Sequence, residues 1–203
     1  SKLLLTKDDI DQIISKLEKI EIIGEKPLKF WDKDKIQCKL EIINPDLTIK
    51  TGSPKYDNWI MDEFKMHIKI LTDLNIIRKT DSRHRTAAFI VQKESERKRG
   101  QSRMVMNYTR LNDNTHEDGY CIPNKDVLIN KIQGSNWFSK FDLKSGFWQV
   151  KMHPDSIPWT AFTCSEGHYE WLVMPFGLKN APQIFQRKMD NVFQHGSKYT
   201  CVY

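Results

Sequence analysis

No run of about 18 apolar residues occurs anywhere in the 203-residue chain, and the first residues carry no signal-peptide pattern, so neither membrane insertion nor secretion is expected. Cysteine is scarce. Cys38, Cys121, Cys164 and Cys201 lie far apart with no Cys-x-x-Cys, which disfavours a zinc site or a disulfide framework and points to reduced thiols in an intracellular protein. There is no Gly-x-x-x-x-Gly-Lys-Ser/Thr phosphate loop, no His-Glu-x-x-His zinc motif and no Asp-Thr-Gly or Asp-Ser-Gly of an aspartic protease. The carboxylate cluster of an RNase H is missing as well.

What is present is an ordinary globular composition, 39% hydrophobic and 29% charged, enough for one substantial core or two modest subdomains. The net charge is +6, and it is unevenly spread. Between Gln92 and Arg110, Lys93, Arg97, Lys98, Arg99, Arg103 and Arg110 face only Glu94 and Glu96, so this stretch holds +4 of the +6. A solvated loop around Gly100 is the plain reading. A concentrated cationic loop also suits a triphosphate or a nucleic-acid backbone.

Along the chain, Thr6-Lys-Asp-Asp9 reads as a capping box before Ile10, Ile13, Ile14 and Leu17 at helical spacing. Asp8 and Asp9 are then helix-start acids that favour the dipole, not metal ligands. Residues 1–36 read as a connector. Lys39 to Ile49 reads as an extended arm, Asn58 to Leu74 as a helix, and Ala87–Val91 with Met104–Tyr108 as a hairpin around the basic loop. A helix is expected over Asn124–Ile132, a strand over Phe138–Leu143, and two strands over Thr160–Cys164 and Tyr169–Met174. Asn180 is placed to cap a last helix with Pro182 in its first turn, and Ile184, Phe185, Met189, Val192 and Phe193 form its apolar face.

Two stretches organise this pattern. Phe138-Ser-Lys-Phe-Asp-Leu-Lys-Ser-Gly-Phe147 sets one acid, Asp142, near the end of an apolar run and before a glycine turn; taken alone, that acid is as well explained as a turn former. Downstream come Trp-Thr-Ala-Phe at 159–162, Tyr-Glu-Trp-Leu-Val-Met-Pro-Phe-Gly-Leu-Lys-Asn-Ala-Pro at 169–182 and Ile-Phe-Gln at 184–186. Together they resemble a reverse transcriptase, most closely that of the bacilliform plant pararetroviruses (Caulimoviridae), with gypsy-type retrotransposons next.

The resemblance implies an α+β right-hand polymerase fold with fingers and an incomplete palm and without a thumb. Fingers would occupy 37–116 and 149–180, palm 117–148 and 181–203. It implies RNA- and DNA-templated DNA synthesis from dNTPs with two Mg²⁺ ions, on a primed template, in an intracellular or virion-associated polyprotein that also carries protease and RNase H domains. Carried over by position, Asp142 is the metal ligand, Lys93 meets the γ-phosphate and Arg103 the α-phosphate. Phe147 is the ring that rejects a ribose 2′-OH, and Phe176 and Gly177 border the nucleotide pocket. Lys98, Arg99 and Arg110 are candidates for touching the template. The family's Tyr-x-Asp-Asp motif would start at Tyr203, and its two aspartates are not in the sequence. Two-ion transfer wants more than one carboxylate anchor. By itself the chain is therefore expected not to polymerise, and the rival reading is a catalytically dead nucleic-acid-binding remnant.

Overall fold

The computed structural model describes residues 6–20, 36–52, 54–92, 102–136, 138–143, 145–194 and 200–202. Helix α1 (Lys7–Lys19) starts at the expected box: Thr6 accepts from the Asp9 amide while the Asp9 carboxylate accepts from the Thr6 backbone N–H, 2.9 Å away. No residue of α1 is buried, and Ile10, Ile13 and Ile14 lie exposed.

Helix α2 (Asn58–Asp73) follows the apolar spacing and buries Phe64, Ile68 and Leu71. It ends in Leu74 and Asn75, the latter at φ 55, which turns the chain into strand β2 (Ile77–Lys79). Strands β3 (Thr86–Val91) and β4 (Arg103–Met106) form the expected antiparallel hairpin, with Val91 opposite Arg103 at its outer rung. Short helices α3 (Thr109–Asp113) and α4 (Lys125–Ile132) follow, and the Asn124 side chain caps α4 by accepting from the Asp126 amide at 2.8 Å. A two-residue strand β5 (Lys151–Met152) runs parallel to β1 (Gln37–Cys38). Strands β6 (Phe162–Cys164) and β7 (Gly167–Trp171) and helix α5 (Ala181–Phe193) complete the order.

The main sheet has the order β2-β7-β6-β3-β4, antiparallel except for the β3/β6 pair. Helix α2 covers it, so Phe64, Ile68, Ile76, Ile77, Ala88, Phe162, Tyr169 and Trp171 form one core. A second core gathers Leu40, Tyr108, Leu111, Val150, Met152, Met174, Leu178 and Ile184 around the β1/β5 pair and α5. Met106, at the end of β4, packs against both. Tyr108 is fully buried beside it and donates to the Thr160 carbonyl at 2.8 Å. No helix among the described residues is long and apolar enough to cross a membrane.

The apolar face of α5 is shorter than the sequence suggests. Ile184 and Met189 are buried, whereas Val192 and Phe193 are exposed. Gln186 and Lys188 are buried instead, each with a partner: Gln186 donates to Asp190 Oδ1 at 2.9 Å and Lys188 Nζ donates to the Gln149 carbonyl.

One buried histidine ties the β2–β3 connection to the arm. His84 is stacked on Trp159 with centroids 4.0 Å apart, and its Nδ1 accepts from the Ile49 amide at 3.2 Å. Its own carbonyl lies 2.9 Å from His168 Nε2. Burial, aided by the neighbouring Arg83 cation, pulls the His84 pKa down to about 4. The folded state therefore favours neutral His84, while the unfolded chain takes up a proton below the ordinary 6.5. This contribution to stability is fully present above pH 6.5 and is lost as the pH falls through about 4. The expected outcome is that imidazole NMR shifts of His84 titrate near 4, with the folded protein losing stability across that window. Titration at the ordinary histidine value would contradict the packing described.

Candidate functional site

The site is a corner where three backbone segments meet. The first is the 3-10 turn Gly146–Gln149, entered through Ser145 at φ 51. Gly146 allows a close approach: a Cβ placed there would sit 3.0 Å from Phe185 Cζ. Phe147 is thereby directed against α5, its half-buried ring 5.6 Å from Phe185 and 5.2 Å from Phe176. Trp148 packs against the first core, 6.1 Å from Trp171, with Phe176 on its other side at 6.3 Å.

The second segment is the turn at Phe176–Gly177. Phe176 is 54% exposed, so its ring is available beside Phe147. Gly177 has φ 94, a left-handed conformation that side chains with a Cβ rarely adopt. An added Cβ there would lie 3.6 Å from the Met106 carbonyl and from Tyr108 Cδ2, the exit of β4, which is the third segment. Arg103 lies three residues back along that strand and is exposed.

Asparagine amides fasten the second of these segments and the chain around it to the rest of the fold. Asn112, in α3, donates through Nδ2 to the Gly177 carbonyl at 2.9 Å and accepts through Oδ1 from the Lys179 amide at 2.8 Å. Asn180 reciprocates: Nδ2 donates to the His116 carbonyl at 2.7 Å, and Oδ1 accepts from the Asp118 amide at 3.1 Å. Asn114 does the same to the arm, accepting from the Asn44 amide and donating to the Asn44 carbonyl, both at 3.0 Å. The expected role of Asn180 as a side-chain cap of α5 is therefore wrong. It stands at the cap position but makes no cap bond, because its amide is engaged across the fold.

Of the cations singled out in the sequence, Lys93, Lys98 and Arg99 lie outside the described residues, as does Tyr203. Arg110 donates through Nη1 to the Lys50 carbonyl at 2.6 Å, which fastens α3 to the arm. At the root of the basic loop, Ser102 donates to the Glu63 carboxylate and lies 2.8 Å from His67 Nε2. Glu63, four positions earlier on the same helix face, thus shares Ser102 with His67. Burial pulls the His67 pKa down, with Glu63 opposing it.

Asp142 is exposed, and Phe138–Leu143 is not a strand in the structure, with Phe138 66% and Phe141 89% exposed. A strand needs a neighbour to take up its ladder of N–H and C=O groups. None of the described strands pairs with this segment. The donor set here does not fit a metal site: among the described residues, no group of three or more His, Cys, Asp or Glu side chains could hold an ion. Asp142 supplies a single carboxylate.

A polar cleft of about 300 Å³ lies close by, lined by Lys39, Glu41, Asp118, Asn180, Ile184 and Arg187, and shares none of Arg103, Phe147 or Phe176 with the corner. Arg187 bonds Asp118 at 2.6 Å, and this hydrogen bond lowers the Asp118 pKa. Tyr120 donates to Asp190 at 2.7 Å, which raises the phenol pKa.

The family model for reverse transcriptase (RNA-dependent DNA polymerase) matches residues 91–203. The chain is 48% identical over 200 residues to Polyprotein P3 of Commelina yellow mottle virus, covering 94% of this chain and 11% of that protein. It is 45% identical over 207 residues to the enzymatic polyprotein of cauliflower mosaic virus (strain Strasbourg), covering 100% of this chain and 30% of that one. The chain thus spans less than a third of either relative. Among solved structures, prototype foamy virus protease–reverse transcriptase superposes with a TM-score of 0.72 at 20% identity, covering 96% of this chain and 26% of that one. A foamy viral protease–reverse transcriptase in complex with an RNA/DNA hybrid superposes with a TM-score of 0.68, covering 94% and 25%. The α+β right-hand polymerase fold expected from the sequence is the fold observed.

The Gly177 turn gives a direct check on this corner. Gly177→Ala should destabilise the protein by about 1–2 kcal/mol, the usual cost of forcing a Cβ into left-handed backbone. Gly119→Ala, where nothing lies within 4 Å of an added Cβ, should be close to neutral. Equal thermal shifts for the two variants would show that the turn is not built as described.

Proposed function

Because this chain belongs to the reverse transcriptase (RNA-dependent DNA polymerase) family, we propose that it forms the nucleotide-binding part of a pararetroviral polymerase that copies RNA and DNA templates into DNA. The observation that carries the reading is the meeting of Phe147 and Phe176, 5.2 Å apart, beside the Gly177 turn and at the inner end of the hairpin whose outer rung holds Arg103. An aromatic wall, a turn that exposes backbone and a guanidinium on one hairpin are what a deoxynucleoside triphosphate requires: a face for the sugar and base, and a fixed cation for the phosphates.

In this reading Arg103 and Lys93 bind the triphosphate, and Phe147 occupies the space a ribose 2′-OH would need. Phe176 and Gly177 border the base. Lys98, Arg99 and Arg110 are the candidates for the template strand; of these, Arg110 is already bonded to the Lys50 carbonyl. Residues 37–116 and 149–180 act as fingers, and 117–148 and 181–203 as the front of the palm.

The chemistry would call on divalent ions, Mg²⁺ in our reading, which would supply Lewis-acid stabilisation of the phosphates. Among the described residues, Asp142 would supply one carboxylate toward them. The relatives are polyproteins, and we place the chain within such a polyprotein, linked to protease and RNase H units, inside the cell or the virion. The primed template and dNTPs are its substrates.

The test is templated primer extension by the polyprotein-derived enzyme. Phe147→Val should let ribonucleotides into the product, raising the rNTP-to-dNTP incorporation ratio by about tenfold or more, the effect of relieving a steric overlap worth roughly 1.4 kcal/mol. Arg103→Ala should weaken dNTP use while leaving primer–template binding intact. An unchanged sugar preference in the Phe147 variant would reject the assignment of that ring.

A further inference from the structure

We propose that Asn112 is a positioning residue for the nucleotide pocket, acting through the Phe176–Gly177 turn; this inference rests on the polymerase reading above. Asn112 is held on a firm base. Leu111 beside it is fully buried, and the Asn112 backbone amide donates to the carbonyl of buried Tyr108 at 2.8 Å. Its side chain then presents a donor and an acceptor side by side, and the turn answers with the Gly177 carbonyl at 2.9 Å and the Lys179 amide at 2.8 Å. The pairing imitates one rung of a β-ladder with a side-chain amide in place of a peptide.

The register matters because Phe176 immediately precedes the clasped carbonyl. A turn at φ 94 offers little intrinsic preference of its own for a single position, so the two bonds from Asn112 set where the Phe176 ring meets Phe147. Asparagine suits this place by both length and pattern. Aspartate has the shape but turns the donor facing the Gly177 carbonyl into a second acceptor, which repels it. Alanine removes both bonds. Glutamine, one methylene longer, pushes the turn toward the aromatic pair.

Asn114 supplies the control. It lies on the same stretch and makes two equivalent bonds, but to Asn44 in the arm and not to the turn. A merely structural role would make variants at 112 and 114 alike.

The experiment is steady-state single-nucleotide incorporation by the complete polyprotein-derived enzyme on an RNA template with a DNA primer. Asn112→Asp, Asn112→Ala and Asn114→Ala are each compared with the unaltered enzyme. KM for dNTP should rise on the order of tenfold in both Asn112 variants, the factor that losing hydrogen bonds of ordinary net strength supplies. Their kcat and primer–template Kd should stay unchanged. Asn114→Ala should lower thermal stability and leave KM for dNTP unaltered. If Asn114→Ala fails to fold, the split between KM and primer–template Kd in the two Asn112 variants decides alone. An unchanged KM in the Asn112 variants overturns the inference and leaves the polymerase reading standing, as does a rise in KM matched by an equal rise in primer–template Kd. Absence of templated incorporation by the unaltered enzyme overturns the reading itself, and the inference with it.

Discussion

Three side-chain amides reinforce sparse backbone pairing between segments that form no extended strand, as where the arm meets 114–116 through a single antiparallel bridge, Ile42 with Thr115. Asn112, Asn114 and Asn180 each offer a donor and an acceptor to backbone groups remote in sequence, at 177–179, 44 and 116–118. Asn114 and Asn180 are buried, each 6% exposed, so a lost partner would cost the desolvation of an unpaired amide, about 1–3 kcal/mol, and not merely one bond. Through them the arm, the α3 segment and the entry to α5 become a single frame. Arg110, donating to the Lys50 carbonyl, adds a charged tie between the same arm and α3.

The frame explains how two cores act as one support. Met106 packs against both, Tyr108 is buried in the second, and the Gly177 turn lies against the Met106 carbonyl and the Tyr108 ring, each 3.6 Å from where an added Cβ would sit. The hairpin carrying Arg103 and the turn carrying Phe176 are thus held through one shared wall. At the outer end, Ser102 bonds Glu63 and His67 of α2, fixing the root of the basic loop to the helix that covers the sheet.

Much of this was legible in the sequence. The capping box at Thr6, the helix α2 and the β3–β4 hairpin are local signals, and local hydrogen bonding made them real. The convergence of Phe147 and Phe176 followed from the family resemblance, not from spacing. What could not be read was long-range. Asn180 looks like a helix cap because capping is the short-range use of asparagine, yet its partners are more than 60 residues away. The apolar run at Phe138–Leu143 has strand composition, but a strand is a property of a pair, and the run pairs with no described strand. Lys188 is buried despite its charge because the Gln149 carbonyl receives it, a partner that helical periodicity cannot reveal.

The central claim, that side-chain amides hold this frame, is tested most directly by residue-resolved hydrogen exchange at the Asn44, Asp118 and Lys179 amides. All three lie outside helices and strands, and all three donate to an asparagine Oδ1. Protection comparable to that of the β3–β4 hairpin, lost at Lys179 alone in Asn112→Ala, is the result this account predicts. Exchange at the rate of open loops at all three amides would contradict it.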